Sequence, residues 1–358
     1  MAVNMLGMTE NEVAGICGSL SITGFRIKQI YKWVSAGKDV PGMTNLPASV
    51  RASLTEAGYG VFLPKIEKKL VSSIDGTVKY LFSLSDGELI ESVVMKYEHG
   101  NTICVSCQAG CRMGCRFCAS TLNGKVRDLH YSEILGQVYA AEADTGEKIS
   151  NIVMMGIGEP LDNYDNTVKF LHTVNSPDGL NIGFRHISLS TCGVVSGIDR
   201  LAEEDMPITL SISLHCIDNE KRKELMPVTK KWSVDELLAA CKRYFDRTGR
   251  RISFEYTLIA GENDSVKQAA ELAEGLKKHL GRMPIHVNLI PLNPVKERGL
   301  GTSAREDVKR FQDTLISHGI NATVRRKLGP DINASCGQLR HSAKQENEEN
   351  TEKKGDTP

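Results

Sequence analysis

Five of this chain's ten cysteines fall between Cys104 and Cys118, and three of them, Cys111, Cys115 and Cys118, have the spacing CxxxCxxC. Three thiolates on one loop can hold three irons of a [4Fe–4S] cluster, leaving the fourth iron open to an exchangeable ligand. Met113 and Phe117, placed among the sulfurs, can shield such a centre from water. Other chemistries compete. Cys107 could add a fourth sulfur for a zinc site, but zinc knuckles of this kind come as two separated CxxC pairs and no second pair exists. An electron-transfer ferredoxin also uses cysteine runs, but the fourth ligand and the short chain are missing. The plainest alternative is a group of buried, inert thiols. The spacing favours the iron–sulfur cluster.

Other candidate residues follow in order: GIGEP (Gly156–Pro160), STCG (Ser190–Gly193), SLH (Ser213–His215), NLIPLNP (Asn288–Pro294) and DINASCGQL (Asp331–Leu339). They sit at or just past the C-terminal ends of strand patterns, where βα barrels place their sites. Each is weak alone. Gly158 reads as a plain turn, His215 as a satisfied structural histidine, Cys336 as a structural cysteine and Glu91 as a solvent-facing strand residue. Cys17, Cys192, Cys216 and Cys241 read as small buried apolar residues. Cys241 shares a helix face with Leu237, Leu238, Tyr244 and Phe245.

The elements that must position these groups show in the periodicity. Residues 1 to about 60 read as short helices, with Phe25, Ile30 and Trp33 at helical spacing and Arg26, Lys28 and Lys32 on or near the other faces. From 66 to 106 the pattern is strand-like, with Asp86-Gly87 turning one hairpin. Strands are then expected at Asn151–Met155, Arg185–Ser190, Ile208–Leu214, Ile252–Leu258, Ile285–Ile290 and Ala322–Arg325, separated by helices. Capping boxes are expected at Ser233/Glu236 and Ser303/Glu306. The second helix continues through Val308, Phe311 and Leu315 and stops at Gly319. Repeated βα units imply an α/β fold, a full or partial barrel with a parallel sheet.

Lys plus Arg and Asp plus Glu number 44 each, so net charge argues against a simple basic nucleic-acid glue but not against a local basic cleft. Basic clusters occur at Lys65, Lys68 and Lys69; at Lys221, Arg222 and Lys223; at Lys230 and Lys231; and at Arg325, Arg326 and Lys327. Several flank the site end of the barrel, as phosphate contacts would; solvated helix ends are the bland alternative. No apolar run reaches eighteen residues and no signal peptide is visible, so a cytoplasmic protein without a membrane span is expected. The cysteines of such a chain are ligands, reactive thiols or core residues rather than a disulfide scaffold. The end of the chain, KQENEENTEKKGDTP, is expected to be a disordered tail.

Taken together, these motifs resemble the radical S-adenosylmethionine (SAM) RNA adenine-C2 methyltransferase family, RlmN, with its close relative Cfr. The resemblance covers nearly the whole chain, including the N-terminal RIKQI and MTNLP segments. It implies a radical SAM (βα) barrel core over 101–340, an N-terminal helical RNA-binding accessory domain over 1–60, a β-hairpin extension over 61–100 and a tail over 341–358. It implies a [4Fe–4S] cluster on Cys111, Cys115 and Cys118. SAM would contact Gly158, Glu159, Ser190, Ser213, Leu214, His215 and Asn293, and be cleaved to a 5′-deoxyadenosyl radical.

Two SAM molecules are consumed per turnover in this reading. The first methylates Cys336; the radical made from the second activates that methyl group, and the carbon adds to adenine. Cys104 would then resolve the RNA adduct through a transient disulfide, with Glu91 as base. Cys107 departs from the family, where serine or threonine is usual. The implied substrates are adenosine 2503 of 23S rRNA and adenosine 37 of tRNAs, the implied electron donor a protein such as flavodoxin, and the implied state a monomer. C8 methylation of the same rRNA adenosine, the Cfr activity, is the nearest alternative. A zinc-stabilised RNA-binding protein is the distant one.

Overall fold

A computed structural model describes residues 2–334, 338–343 and 345. Strand β1 (Val3–Asn4) precedes helices α1 (Glu10–Ser19), α2 (Phe25–Ser35) and α3 (Ala48–Glu56), and pairs in parallel with β2 (Tyr59–Gly60), closing this segment on itself. Thr9 and Glu12 form a capping box at the start of α1. In α2 the buried stripe is Ile30 and Val34, four residues apart. Phe25 lies outside that stripe, 73% exposed at the first turn beside Arg26 and Lys28.

Next come β3 (Lys65–Val71), β4 (Val78–Ser83), β5 (Leu89–Tyr97) and β6 (Gly100–Cys104), an antiparallel run in which Gly87 turns between β4 and β5 with φ +85°. Two short antiparallel strands, β7 (Gln108–Gly110) and β8 (Lys125–Asp128), flank the cysteine loop. Alternation then begins: α4 (Tyr131–Thr145), β9 (Ile149–Met154), α5 (Tyr164–Asn175), β10 (Ile187–Thr191), α6 (Val195–Leu201), β11 (Thr209–Ser213), α7 (Asn219–Leu225) and α8 (Val234–Thr248). It ends with β12 (Ile252–Leu258), α9 (Val266–Leu280), β13 (Ile285–Pro291), α10 (Arg305–Ser317) and β14 (Asn321–Val324).

All the longer strands join one ten-stranded sheet in the order β14-β13-β12-β11-β10-β9-β6-β5-β4-β3. From β6 to β14 it is parallel, as βα crossovers require, and β5, β4 and β3 extend it antiparallel. Its two edge strands do not meet, so of the two expected forms the structure shows the partial barrel. Outward residues such as Leu189, Leu210, Ile212 and Val287 are fully buried under the helices. The opposite face carries Ser190, Ser211, Ser213, Ser253, Glu255 and Asn288, a polar interior unusual for a packed core.

The structure departs from the expected pattern at three further places. The box at Ser233 and Glu236 forms, but Ser303 does not cap α10: Ala304 is the N-cap residue, and the Ser303 hydroxyl donates to Asp264 at 2.7 Å. The Ser303 hydroxyl is turned to a carboxylate across the loop instead of capping the helix. Arg222 is not a surface phosphate contact; it is 1% exposed. The tail does not start at 341, since residues 338–343 are helical and His341 Nδ1 lies 3.0 Å from Asn123 Oδ1.

Gly156 shows how tightly the motif loops are packed. A Cβ built there would lie 2.5 Å from the Val105 carbonyl oxygen, which is backbone and cannot move aside. Gly156→Ala is therefore expected to cost about 3 kcal/mol or more in urea denaturation, in the range of severe overpacking.

Candidate active site

The CxxxCxxC loop is held at both ends by backbone. The Cys111 N–H donates to Gly124 O at 3.0 Å, and the Cys118 N–H to Cys115 O at 3.1 Å. The Thr121 hydroxyl lies over the Cys115 and Cys118 carbonyls and accepts from Arg298 at 2.9 Å. The Arg116 N–H donates to Leu225 O, tying the loop to the end of α7. Cys111 and Cys115 are buried and Cys118 half-buried. Met113 and Phe117 pack against the core beside them.

The donor set suits an iron–sulfur cluster. Between Cys111 and Cys118 the loop contains no carboxylate or imidazole, so the ligands on offer are all soft sulfur. Burial pushes the Cys111 thiol up to about 12 and the Cys115 thiol well above its ordinary value, and repulsion among the cysteines adds to both. Such thiols stay protonated until a bound cation displaces the protons. Cys107 packs against the GIGEP loop, close enough for Cys111 to act on its thiol. It is 2% exposed, its N–H donates to Ile157 O, and its sulfur would lie 2.8 Å from a Cβ at Gly158. Burial, with the charge of Glu159, raises its pKa well above the ordinary thiol value.

A cavity of about 770 Å³ opens beside the loop. Cys118, Phe117, Cys104, Met155 and Asn293 line it, as do Ala334 and Gln338, one on each side of residues 335–337. Arg305, Lys309, Arg325, Arg326 and Lys327 also contribute to the lining, which among the described residues includes no acidic one. The neutral net charge thus conceals a cationic mouth. Cys104 sits in a small apolar patch with Val93 and Met95, against Met155, Leu328 and Ala334.

The expected SAM contacts behave differently from one another. Asn293 lines the cavity, and the Ser190 and Ser213 hydroxyls meet at 3.4 Å across adjacent strands. Leu214 is fully buried. Glu159 is 3% exposed, and its carboxylate accepts from the Leu161 N–H at 3.0 Å and the Cys192 N–H at 2.7 Å, binding GIGEP to STCG. Burial raises its pKa, with those amides opposing. Gly158 holds φ +114° and a Cβ there would lie 2.7 Å from Gln108 Cβ, so the loop lies flat on β7.

His215, in the left-handed region at φ +55°, accepts the Thr257 N–H on Nδ1 at 2.8 Å, which places its proton on Nε2. Its ring meets Phe117 edge-on at 4.7 Å, so it orients the aromatic residue before the third cysteine. Burial, with Arg222 nearby, lowers its pKa to about 3. Unfolded, it titrates near 6.5. Between those values the unfolded chain binds the extra proton, so stability is lost as pH falls through that window, by up to about 1.4 kcal/mol per pH unit. His215→Asn, which tolerates positive φ, is expected to flatten this slope in urea titrations between pH 6.5 and 4.5.

Three residues matter that the motifs did not mark. Gln137 on α4 accepts from the Ser106 N–H and the Ser92 hydroxyl and donates to Ser106 O. Ser106 in turn donates to Glu91 O and accepts from the Ile157 N–H, joining β5 to GIGEP. Arg222 spends its guanidinium on Leu214 O, Ser213 O, Cys192 O and the Thr229 hydroxyl, all within 2.9 Å. A buried glutamine, serine or arginine looks no different in sequence from an exposed one.

Glu91 is not solvent-facing. It is 1% exposed, pairs with Lys79 at 3.1 Å and accepts the Arg340 N–H at 2.6 Å. Lys79 also donates to Asn333 O, Asp331 accepts from Ser72 and Ser73, and Arg340 bonds Leu89 O and Glu88. The hairpin therefore grips the chain on both sides of residues 335–337. Cys336 itself lies outside the described residues.

Comparison with known proteins agrees with this geometry. The radical SAM superfamily model matches residues 105–273. A protein of Alkaliphilus oremlandii named "Probable dual-specificity RNA methyltransferase RlmN" is 52% identical over 339 residues, covering 94% of this chain and 97% of that protein. A like-named protein of Clostridium novyi is 50% identical, covering 95% and 98%. The crystal structure of a radical SAM methyltransferase from Sphaerobacter thermophilus superposes with a TM-score of 0.87 at 40% identity, covering 94% of this chain and 98% of that one. With a cysteine loop, a partial βα barrel and near full-length similarity in agreement, the chain belongs to the RlmN family of radical SAM methyltransferases.

Proposed function

We propose that this protein methylates C2 of adenosine 2503 in 23S rRNA and of adenosine 37 in tRNAs through a methylated Cys336. The observation that carries the reading is the shared cavity. Cys118 of the cluster loop, Cys104, and the residues flanking 335–337 face one space with a cationic lining. Cys111, Cys115 and Cys118 would hold a [4Fe–4S] cluster, which when bound would supply an iron free to take SAM and the electron for its cleavage.

The chain's own residues do the rest. Gly158, Glu159, Ser190, Ser213, Leu214, His215 and Asn293 are the proposed SAM contacts; Ser190, Ser213 and Asn293 offer side chains, while Glu159 and His215 act by fixing loops. Adenine C2 is an electrophilic carbon, so simple transfer of a sulfonium methyl is disfavoured and a carbon delivered from Cys336 avoids that obstacle. Cys104 then attacks the Cys336 sulfur. An S–S bond forms as the S–C bond to RNA breaks, and the carbon leaves with the electron pair and takes a proton, becoming the methyl group. A dithiol reductant restores both thiols. Glu91 removes the C2 proton in this scheme. Its bonds to Lys79 and Arg340 make it a brace for the Cys336 segment as well.

The basic lining holds phosphates while the base is drawn from its stack. Residues 1–60 act as an RNA-gripping unit, with exposed Phe25 and Arg26 for stacking and phosphate contact. Two SAM molecules are used per turnover, a flavodoxin-like protein donates electrons, and the protein works in the cytoplasm as a monomer. None of the described helices is long and apolar enough to cross a membrane. Mass spectrometry of rRNA and tRNA digests after incubation with reconstituted protein is expected to show 2-methyladenosine. Finding 8-methyladenosine instead would transfer the assignment to the C8 reaction.

A further inference from the structure

Arg222 is a full positive charge buried beside the cluster loop, and among the described residues no carboxylate bonds it directly. Its guanidinium bonds three backbone carbonyls and one hydroxyl: Cys192 O at 2.7 Å, Ser213 O and Leu214 O at 2.9 Å, and the Thr229 hydroxyl at 2.7 Å. The Glu159 carboxylate lies on the other side of the Cys192 peptide and is occupied by the N–H of that residue. Removing an arginine from water without a paired anion is costly, and neutral carbonyls compensate only in part. A fold that retains such a group has an anion for it nearby.

The packing shows where that anion belongs. Helix α7, which carries Arg222, lies directly beneath the cysteine loop: Leu225 O accepts the Arg116 N–H, and a Cβ at Gly114 would meet Pro227 at 3.3 Å. The carbonyls that Arg222 holds end β10 and β11, the STCG and SLH segments.

We infer that Arg222 is the buried counter-charge of the iron–sulfur centre, a positioning residue that joins the two strand ends facing SAM and favours the reduced state of the cluster. This rests on the cluster reading given above. Three thiolates outweigh the charge of the oxidised [4Fe–4S]²⁺ core, and one electron from an external donor such as dithionite adds another negative charge. A fixed cation in low dielectric stabilises the more negative state more strongly. Arginine suits the task because its planar fork reaches several carbonyls while remaining charged.

The test is a redox titration of the reconstituted cluster, followed by electron paramagnetic resonance of the reduced form, in wild type, Arg222→Gln and Arg222→Lys. Gln removes the charge, and at fixed solution potential its reduced-to-oxidised ratio is expected to fall about tenfold, ~59 mV for one electron. Lys keeps the charge but not the fork, and its potential should stay near wild type. A Gln variant with full iron and an unchanged potential overturns the inference. So does a Lys variant shifted as far as the Gln expectation, a comparison that serves even where Gln fails to fold. Wild-type protein that incorporates no iron or sulfide would instead sink the cluster reading itself, and the inference with it.

Discussion

Alanine in place of Cys115 is expected to leave a folded chain with less than one iron in place of about four, and methylation lowered by at least about a thousandfold. The two effects separate because the thiol contributes little to packing. Cys115 is 8% exposed in a loop held by hydrogen bonds to the Gly124 and Leu225 carbonyls and from the Thr121 hydroxyl, none of which uses its sulfur. Losing one sulfur atom there costs on the order of 1 kcal/mol. Two thiols cannot replace three, since a cluster with two open irons is hydrolytically labile. Circular dichroism should match wild type while iron, sulfide and product are lost. Retained activity would remove the radical mechanism.

The second large effect divides one reaction between two thiols. Cys336→Ala should keep the cluster and make neither product nor adduct. Cys104→Ala should carry the reaction as far as the carbon–RNA bond and stop there, trapping the protein on its RNA. Structurally the second change is mild, because Cys104 sits in an apolar patch with Val93 and Met95 that tolerates a smaller residue. Turnover should fall by at least about a hundredfold, as loss of a reacting group does, and denaturing gels should show a slow, nuclease-sensitive band. Full turnover by Cys104→Ala without that band would take the resolving role from Cys104, and buried Cys107 would not be its natural replacement.

Much of this was legible in the residues because the local signals agreed. Ile252–Leu258 was readable to the residue as a strand, because apolar Ile252, Phe254, Tyr256 and Leu258 alternate strictly with polar Ser253, Glu255 and Thr257. Cys241 lies where its helix face placed it, fully buried beside Leu237, Leu238 and Tyr244. What stayed hidden was long-range. Phe25 has the helical spacing of a core residue, but it sits at the first turn of α2, ahead of the buried stripe of Ile30 and Val34, and lies exposed. Ser303 has a glutamate three residues on but finds a better acceptor in Asp264, on a loop reached only by folding. Arg222 sits between two lysines and reads as surface charge, whereas its helix points that one side chain inward against Cys192 O. The open barrel, too, depended on the antiparallel strands adding to one edge of the sheet, which spacing alone does not reveal.

Everything turns on three sulfurs holding iron. Protein purified and reconstituted without oxygen, then assayed for metal and acid-labile sulfide, should contain about four of each per chain and give the broad brown absorbance of a [4Fe–4S] centre. A chain that binds about one zinc, and neither iron nor sulfide, would contradict the account at its root.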